Sequence, residues 1–159
     1  MTETPYRLEY YLDDHGKAPF LGWLYSLRDK MAVYRIRARL DRVELGNFGT
    51  VKGGIAMARK TGDYHTEHIE WLKDPENAAG YLNAVIEEED KDALLLALRN
   101  IAEAEGGMAA VAEKAHLKRE SLYRMLSPRG NPALSNLFSI LHGMGLKMTI
   151  QPDKAVTVS

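Results

Sequence analysis

Apolar and polar residues alternate where the chain begins. Tyr6, Leu8, Tyr10 and Leu12 fall on one side and Arg7, Glu9, Tyr11 and Asp13 on the other, the period-two pattern of a half-buried strand. Asp13-Asp14-His15-Gly16 follows with turn chemistry. The period then lengthens to that of helices. Phe20, Trp23, Leu24 and Leu27 predict a short helix over residues 19–27. Val33, Ile36, Leu40 and Val43 predict the apolar stripe of a second over 31–45, with Arg35, Arg37, Arg39 and Arg42 on its wet surface. One strand makes no sheet, so the orphan strand is expected to pair with residues 147–151 or with its copy in a second subunit.

Glycines at 46, 49, 53 and 54 break the pattern and mark a seam. Beyond it the periodicity is helical. Asp74-Pro75-Glu76 is a helix start, with a capping carboxylate, a proline in the first turn and an acid that suits the dipole. That helix is expected to reach Glu87 or Glu88; the acidic run over 87–90 is expected to be a solvated inter-helix corner rather than a binding surface, with Asp90 or Asp92 leading into the next helix. The next spans about 92–104, with Leu94, Leu95, Leu98, Ile101 and Ala102 facing a core and Gly106-Gly107 stopping it. Residues 108–126 have helix-turn-helix spacing. Ala112 is small where two helices cross, His116 stands where the turn needs a positive φ, Leu117 is the buried plug, and Leu122 and Met125 or Leu126 are core positions of the second helix. Two ordinary short helices around a small residue fit the same spacing. Asn131 and Pro132 are expected to open a last helix whose Leu134, Leu137, Ile140 and Leu141 close the core. Alternation over 147–151 and 155–158 predicts a C-terminal strand or short hairpin, frayed beyond Pro152. The fold class is therefore mainly α. About five helices with a C-terminal strand form a domain over 57–159, preceded by a strand-helix-helix unit over 1–56.

Charge sharpens this division. The 159 residues carry 21 Lys+Arg against 22 Asp+Glu, which excludes a polybasic coat and confines any basic patch to one region. Residues 1–56 have a net charge of +2 and residues 57–159 of −3. Within the acidic half, Lys114, Lys118, Arg119, Arg124 and Arg129 are opposed between 114 and 131 by Glu120 alone, the electrostatic footprint of duplex binding. Arg119, Glu120, Ser121 and Arg124 project from faces that Leu122 and Met125 do not use, and Tyr123 is amphipathic. Arg119, Ser121 and Arg124 are the expected base readers, and Lys118, Arg129 and Asn131 the expected phosphate grips.

Other chemistry falls away. With no cysteine there is no disulfide, thiol catalysis or cysteine-ligated zinc. No apolar run approaches the roughly 18 residues that cross a bilayer, and the N-terminus lacks a signal-peptide pattern, so a soluble cytoplasmic protein without membrane association is expected. His65 and His68, three apart, are a possible metal pair without a third ligand, so no metal and no cofactor is expected. No phosphate loop, Ser-His-Asp set or carboxylate pair suggests an enzyme.

The strings Trp71-Leu72-Lys73-Asp74-Pro75-Glu76 and Arg119-Glu120-Ser121-Leu122-Tyr123-Arg124-Met125-Leu126-Ser127-Pro128-Arg129-Gly130-Asn131-Pro132 carry a resemblance to HigA-like addiction-module antidotes, over residues of about 64–151. The resemblance implies a lambda-repressor-type helix-turn-helix fold in a dimer that neutralises a partner toxin and represses its own operon, with Ser121, Tyr123 and Arg124 facing DNA. Residues 20–29 and 35–49 are similar to the start of RelE/HigB-type toxins, which continue into further strands that hold most of their RNA-cleaving residues. Here the chain passes from Val51-Lys52 straight into antidote-like sequence. The resemblances together imply a truncated, inactive toxin remnant fused to its antitoxin. The expected function is a dimeric, sequence-specific regulator of double-stranded operator DNA; the alternative is a module that neutralises a separate RelE/HigB-type toxin.

Overall fold

The computed structural model of the chain describes residues 4–47 and 60–153. The seam around Gly53-Gly54 and the alternating residues 155–158 lie outside them. Among the described residues there are eight helices and one two-stranded sheet, so the molecule is mainly α.

The orphan strand finds its partner inside the chain. β1 (Glu9–Tyr11) pairs antiparallel with β2 (Thr61–Asp63) in the register Glu9↔Asp63, Tyr10↔Gly62, Tyr11↔Thr61. The bonds Leu12 N to Lys60 O (3.0 Å) and Tyr64 N to Leu8 O (3.2 Å) extend the ladder. The Tyr10 ring lies over Gly62, where a Cβ would stand 2.2 Å from it and the ring would have to move. Residues 147–151 form no strand; with β1 paired elsewhere they have no ladder to join, and Ile150 is 97% exposed.

α1 (Pro19–Ser26) leads to α2 (Lys30–Glu44), where the Asp29 carboxylate accepts from the Met31 amide at 2.9 Å. The buried row of α2 is not the expected stripe. Tyr34, Arg37, Ala38, Asp41 and Glu44 face inward, while Val33, Ile36, Leu40 and Val43 are only half-buried. Arg37, expected on the wet surface, is fully buried. The polar row wins because partners await it on the helices described next.

α3 (Tyr64–Leu72) runs directly from β2. α4 (Pro75–Glu87) is capped by Asp74, and α5 (Lys91–Ala104) by Asp90, which accepts from the amides of Asp92 and Ala93. α2 lies against α4 and α5, and the Tyr34 ring fills a notch at Gly80, where a Cβ would come within 2.1 Å of it. The acidic corner is solvated at Glu87 and Glu89, as expected, but Glu88 and Asp90 are half-buried against arginines of α2. Arg42 reaches Glu88 (2.9 Å) and Asp90 (3.4 Å), Arg35 reaches Glu87 (3.8 Å), and Arg39 reaches Glu88 (3.9 Å). α5 is the central helix, with Leu95, Leu96, Leu98 and Ile101 buried, and it ends at two left-handed glycines, 106 and 107.

α6 (Met108–Lys114), α7 (Arg119–Met125) and α8 (Leu134–Gly143) complete the chain. One core joins Tyr34 and Ala38 of α2 to Tyr81 of α4, Ile101 of α5, Val111 of α6, Leu122 of α7 and Ile140 of α8. Asn131 does not cap α8. The chain is folded tightly at Gly130, whose amide donates to the Ser127 carbonyl at 2.7 Å, then stays extended to Ala133, the residue that precedes the helix. Starting there turns Leu134 outward, 62% exposed, so Ile140 and Leu141 close the core without it.

Candidate nucleic-acid interface

The cationic residues gather around α7, and the local backbone explains how they are presented. His116 adopts φ 56°, the left-handed conformation expected at this position. Its amide donates to the Glu113 carbonyl (3.2 Å) and that of Leu117 to the Ala112 carbonyl (2.9 Å), so α6 stops sharply and the chain turns into α7. Ala112 and Ala115 are buried, and Gly143 of α8 packs so closely on α6 that a Cβ there would lie 3.0 Å from the Ala115 side chain. Leu122 and Leu126 are fully buried and pin α7 from beneath.

Sequence reasoning missed Arg99. It is nearly buried on α5 and donates from Nη1 to the carbonyl of Leu126, at the end of α7. A cation at a helix C-terminus satisfies an orphan carbonyl and suits the dipole.

With the inner face fixed, the outer one is polar. Lys118, Arg119, Glu120, Tyr123 and Arg124 are exposed, Ser121 is half-buried, and Arg129 and Asn131 are exposed just beyond the helix. The Arg119 guanidinium lies 5.4 Å from the centre of the Tyr123 ring, one turn on, which holds it along the helix rather than folded away. Lys114 pairs with Glu105 at 3.4 Å. Lys118, Arg119, Arg124 and Arg129 make no ion pair among the described residues. The surface is thus a short rod with net positive charge, chemically suited to phosphates and to acceptor edges of bases.

A second concentration of polar groups is buried between α2, α3, α4 and α5. Arg37 binds Glu67 through both terminal nitrogens (2.8 and 2.9 Å), lies 3.1 Å from His68 Nδ1, and stacks 4.1 Å from the centre of the Trp71 ring. Because Arg37 can only donate, His68 Nδ1 accepts, and the imidazole proton sits on Nε2, which faces Asp41 Oδ1 at 3.9 Å. The Tyr81 hydroxyl donates to the other Asp41 oxygen, and Asn100 Nδ2 donates to Tyr81 Oη at 3.4 Å. His68, considered as half of a metal pair, turns into this cluster, whereas His65 turns away to Glu103 at 3.0 Å. The one sequence signal for the cluster was that Arg37, Asp41 and Glu44 share a helical row with Tyr34 and Ala38.

Burial pushes the Asp41 carboxyl well above the ordinary carboxylate range and holds His68 well below the ordinary histidine value. The signs oppose each other. In the unfolded chain Asp41 releases its proton first, so its contribution to stability falls as pH rises above about 4. His68 takes up a proton first when unfolded, so its contribution is lost as pH falls below about 6.5. Asp41→Asn removes the first effect alone. Its unfolding free energy relative to the parent is expected to grow as pH rises from about 4 in urea titrations; a difference independent of pH would refute the assignment.

Among the described residues no three metal-ligating side chains cluster, and no helix is long and apolar enough to cross a membrane. No solved structure matches the chain. An uncharacterized protein of Haemophilus influenzae is 32% identical over 85 residues, which cover 54% of this chain and 87% of that protein. A family model described as "probable addiction module antidote protein" matches residues 64–152, from the first residue of α3 to just beyond α8, and leaves β1, α1 and α2 outside. More than half of the chain is thus accounted for by one family, and the chain belongs to the probable addiction module antidote proteins.

Proposed function

We propose that the protein is an antitoxin-type transcriptional regulator of the HigA-like kind, a cytoplasmic homodimer that binds double-stranded operator DNA through α7. The observation that carries this is the exposed face of α7, whose cations have no carboxylate partners while α5, α6 and α8 hold its other face rigidly. Arg119, Ser121 and Arg124 read base edges, Glu120 and Tyr123 border them, and Lys118, Arg129 and Asn131 hold phosphates. In this reading α6, the His116 turn and α7 are a lambda-repressor-type helix-turn-helix, and residues 1–56 are an inactive remnant of a RelE/HigB-like toxin. The protein acts by binding, with no catalytic step. Two-fold symmetry sets half-sites about 34–36 Å apart, or a multiple of that.

Gel shifts across fragments of the protein's own promoter test it. Arg124→Ala is expected to relax sequence preference by about 1–3 kcal/mol at one base pair. Lys118→Ala is expected to weaken all duplexes alike and to reduce the slope of affinity against salt by about one. Unchanged preference in Arg124→Ala refutes the base-reading role.

The antidote family favours a second reading, in which the principal act is neutralising a toxin. Co-purification with a toxin encoded beside the gene would support it.

A further inference from the structure

The Lys and Arg ion pairs between residues 4–47 and the family-matched residues 64–152 have a consistent sign. Lys30, Arg35, Arg37, Arg39 and Arg42, all on α2, meet Glu76 (3.5 Å), Glu87 (3.8 Å), Glu67 (2.8 Å), Glu88 (3.9 Å from Arg39, 2.9 Å from Arg42) and Asp90 (3.4 Å). In these pairs each Lys or Arg comes from the helix outside the family match and each carboxylate from within it, whereas Asp41 of α2 meets the His68 imidazole (3.9 Å) and the Tyr81 hydroxyl. At the centre the pairing is desolvated: Arg37 is fully buried on the Trp71 ring, and Tyr34 lies 6.0 Å from that ring, in the notch of Gly80. Toward the edge the pairs are open to water, the Lys30 and Glu76 side chains being 72% and 78% exposed. Buried arginine and aromatic anchors inside a charged rim are the anatomy of an interface between two proteins, where the rim steers and the anchors hold.

We propose that the face formed by α3, α4 and the 87–90 corner is a docking surface for a partner protein bearing a basic helix, and that residues 4–47 occupy it in cis and so exclude a separate toxin. The proposal rests on the antidote reading of the second half. Tethering gives the occupant a local concentration that a free competitor must exceed, so the intact chain ignores a partner that would bind the bare face. The chain then behaves as a regulator that is deaf to free toxin.

The test uses the full chain with a specific protease site inserted between Gly53 and Gly54, nicked after folding. The probe is a second sample of folded, nicked protein carrying fluorescein on residues 1–53, which it can release to an acceptor. The nicked halves are expected to co-elute on size exclusion, and the probe to exchange into nicked protein while binding intact chain at least tenfold more weakly. Glu88→Lys with Asp90→Lys is expected to weaken uptake, and Arg42→Glu in the probe to restore it. Equal binding to intact and nicked chain overturns the proposal, because the face would then be unoccupied. No uptake by nicked chain also overturns it, because the halves would be one inseparable core. A labelled operator duplex titrated into the same samples separates the two readings: loss of DNA binding counts against the regulator assignment, and the probe alone decides the docking surface.

Discussion

Arg37→Ala is expected to lower the unfolding free energy by about 3–5 kcal/mol, the range for breaking a buried ion pair from one side. The side chain is fully buried, and its loss leaves Glu67, whose side chain is only 13% exposed, without its bidentate partner. It also empties the space over the Trp71 ring and frees the His68 Nδ1 acceptor. Against total stabilities of roughly 5–15 kcal/mol this is a large share, and urea denaturation followed by far-UV circular dichroism measures it directly. Arg37→Lys is expected to recover little, since an ammonium cannot reproduce the two parallel bonds or the flat stack on indole. Arg37→Met combined with Glu67→Gln is expected to cost less than Arg37→Ala alone, because no unpaired charge is left behind. An unchanged midpoint in Arg37→Ala would show that the cluster does not hold the halves together.

Gly130→Ala is expected to cost about 3 kcal/mol, at the upper end for overpacking. The new Cβ would stand 2.0 Å from the Met125 carbonyl oxygen and 2.9 Å from that of Ser127. Both are backbone atoms, so no side chain can rotate out of the way, and the turn behind α7 must open. Arg129 and Asn131 flank this residue, so affinity for DNA is expected to fall with stability. Gly22→Ala is the control. It lies in α1 with nothing within 4 Å, and alanine there is expected to stabilise by about 0.5–1 kcal/mol. Equal thermal midpoints for the two variants would remove the steric account of Gly130.

What could be read from residue order was mostly local. Asp74 and Asp90 cap their helices, Gly106-Gly107 stop α5, and His116 takes the left-handed turn, because each of these depends on a few neighbours. The α7 cations are exposed for the same reason: Leu122 and Leu126 fix which side of one short helix faces in. Most of the failures depend on distant partners. Arg37 and Asp41 look like solvent-facing residues until Glu67, His68 and Tyr81 meet them, and α3 has no strong apolar stripe because its inner face includes His68. Likewise, the alternation at 147–151 is a strand pattern with nothing to pair with, and Asn131 has capping chemistry but stands too far before Leu134.

The order in which the buried cluster is assembled has a consequence during synthesis. Arg37 and Asp41 leave the ribosome before any residue that will cover them, and Asn100 comes last. At ordinary elongation rates of about 5–20 residues per second, the interval is roughly 3–12 s. For the first part of that interval, until Glu67 and then the carboxylates up to Asp90 are added, the nascent chain displays an arginine-rich helix without its acidic counterpart. Arg37 is therefore open to the translation machinery, itself rich in polyanion, before the finished molecule buries it.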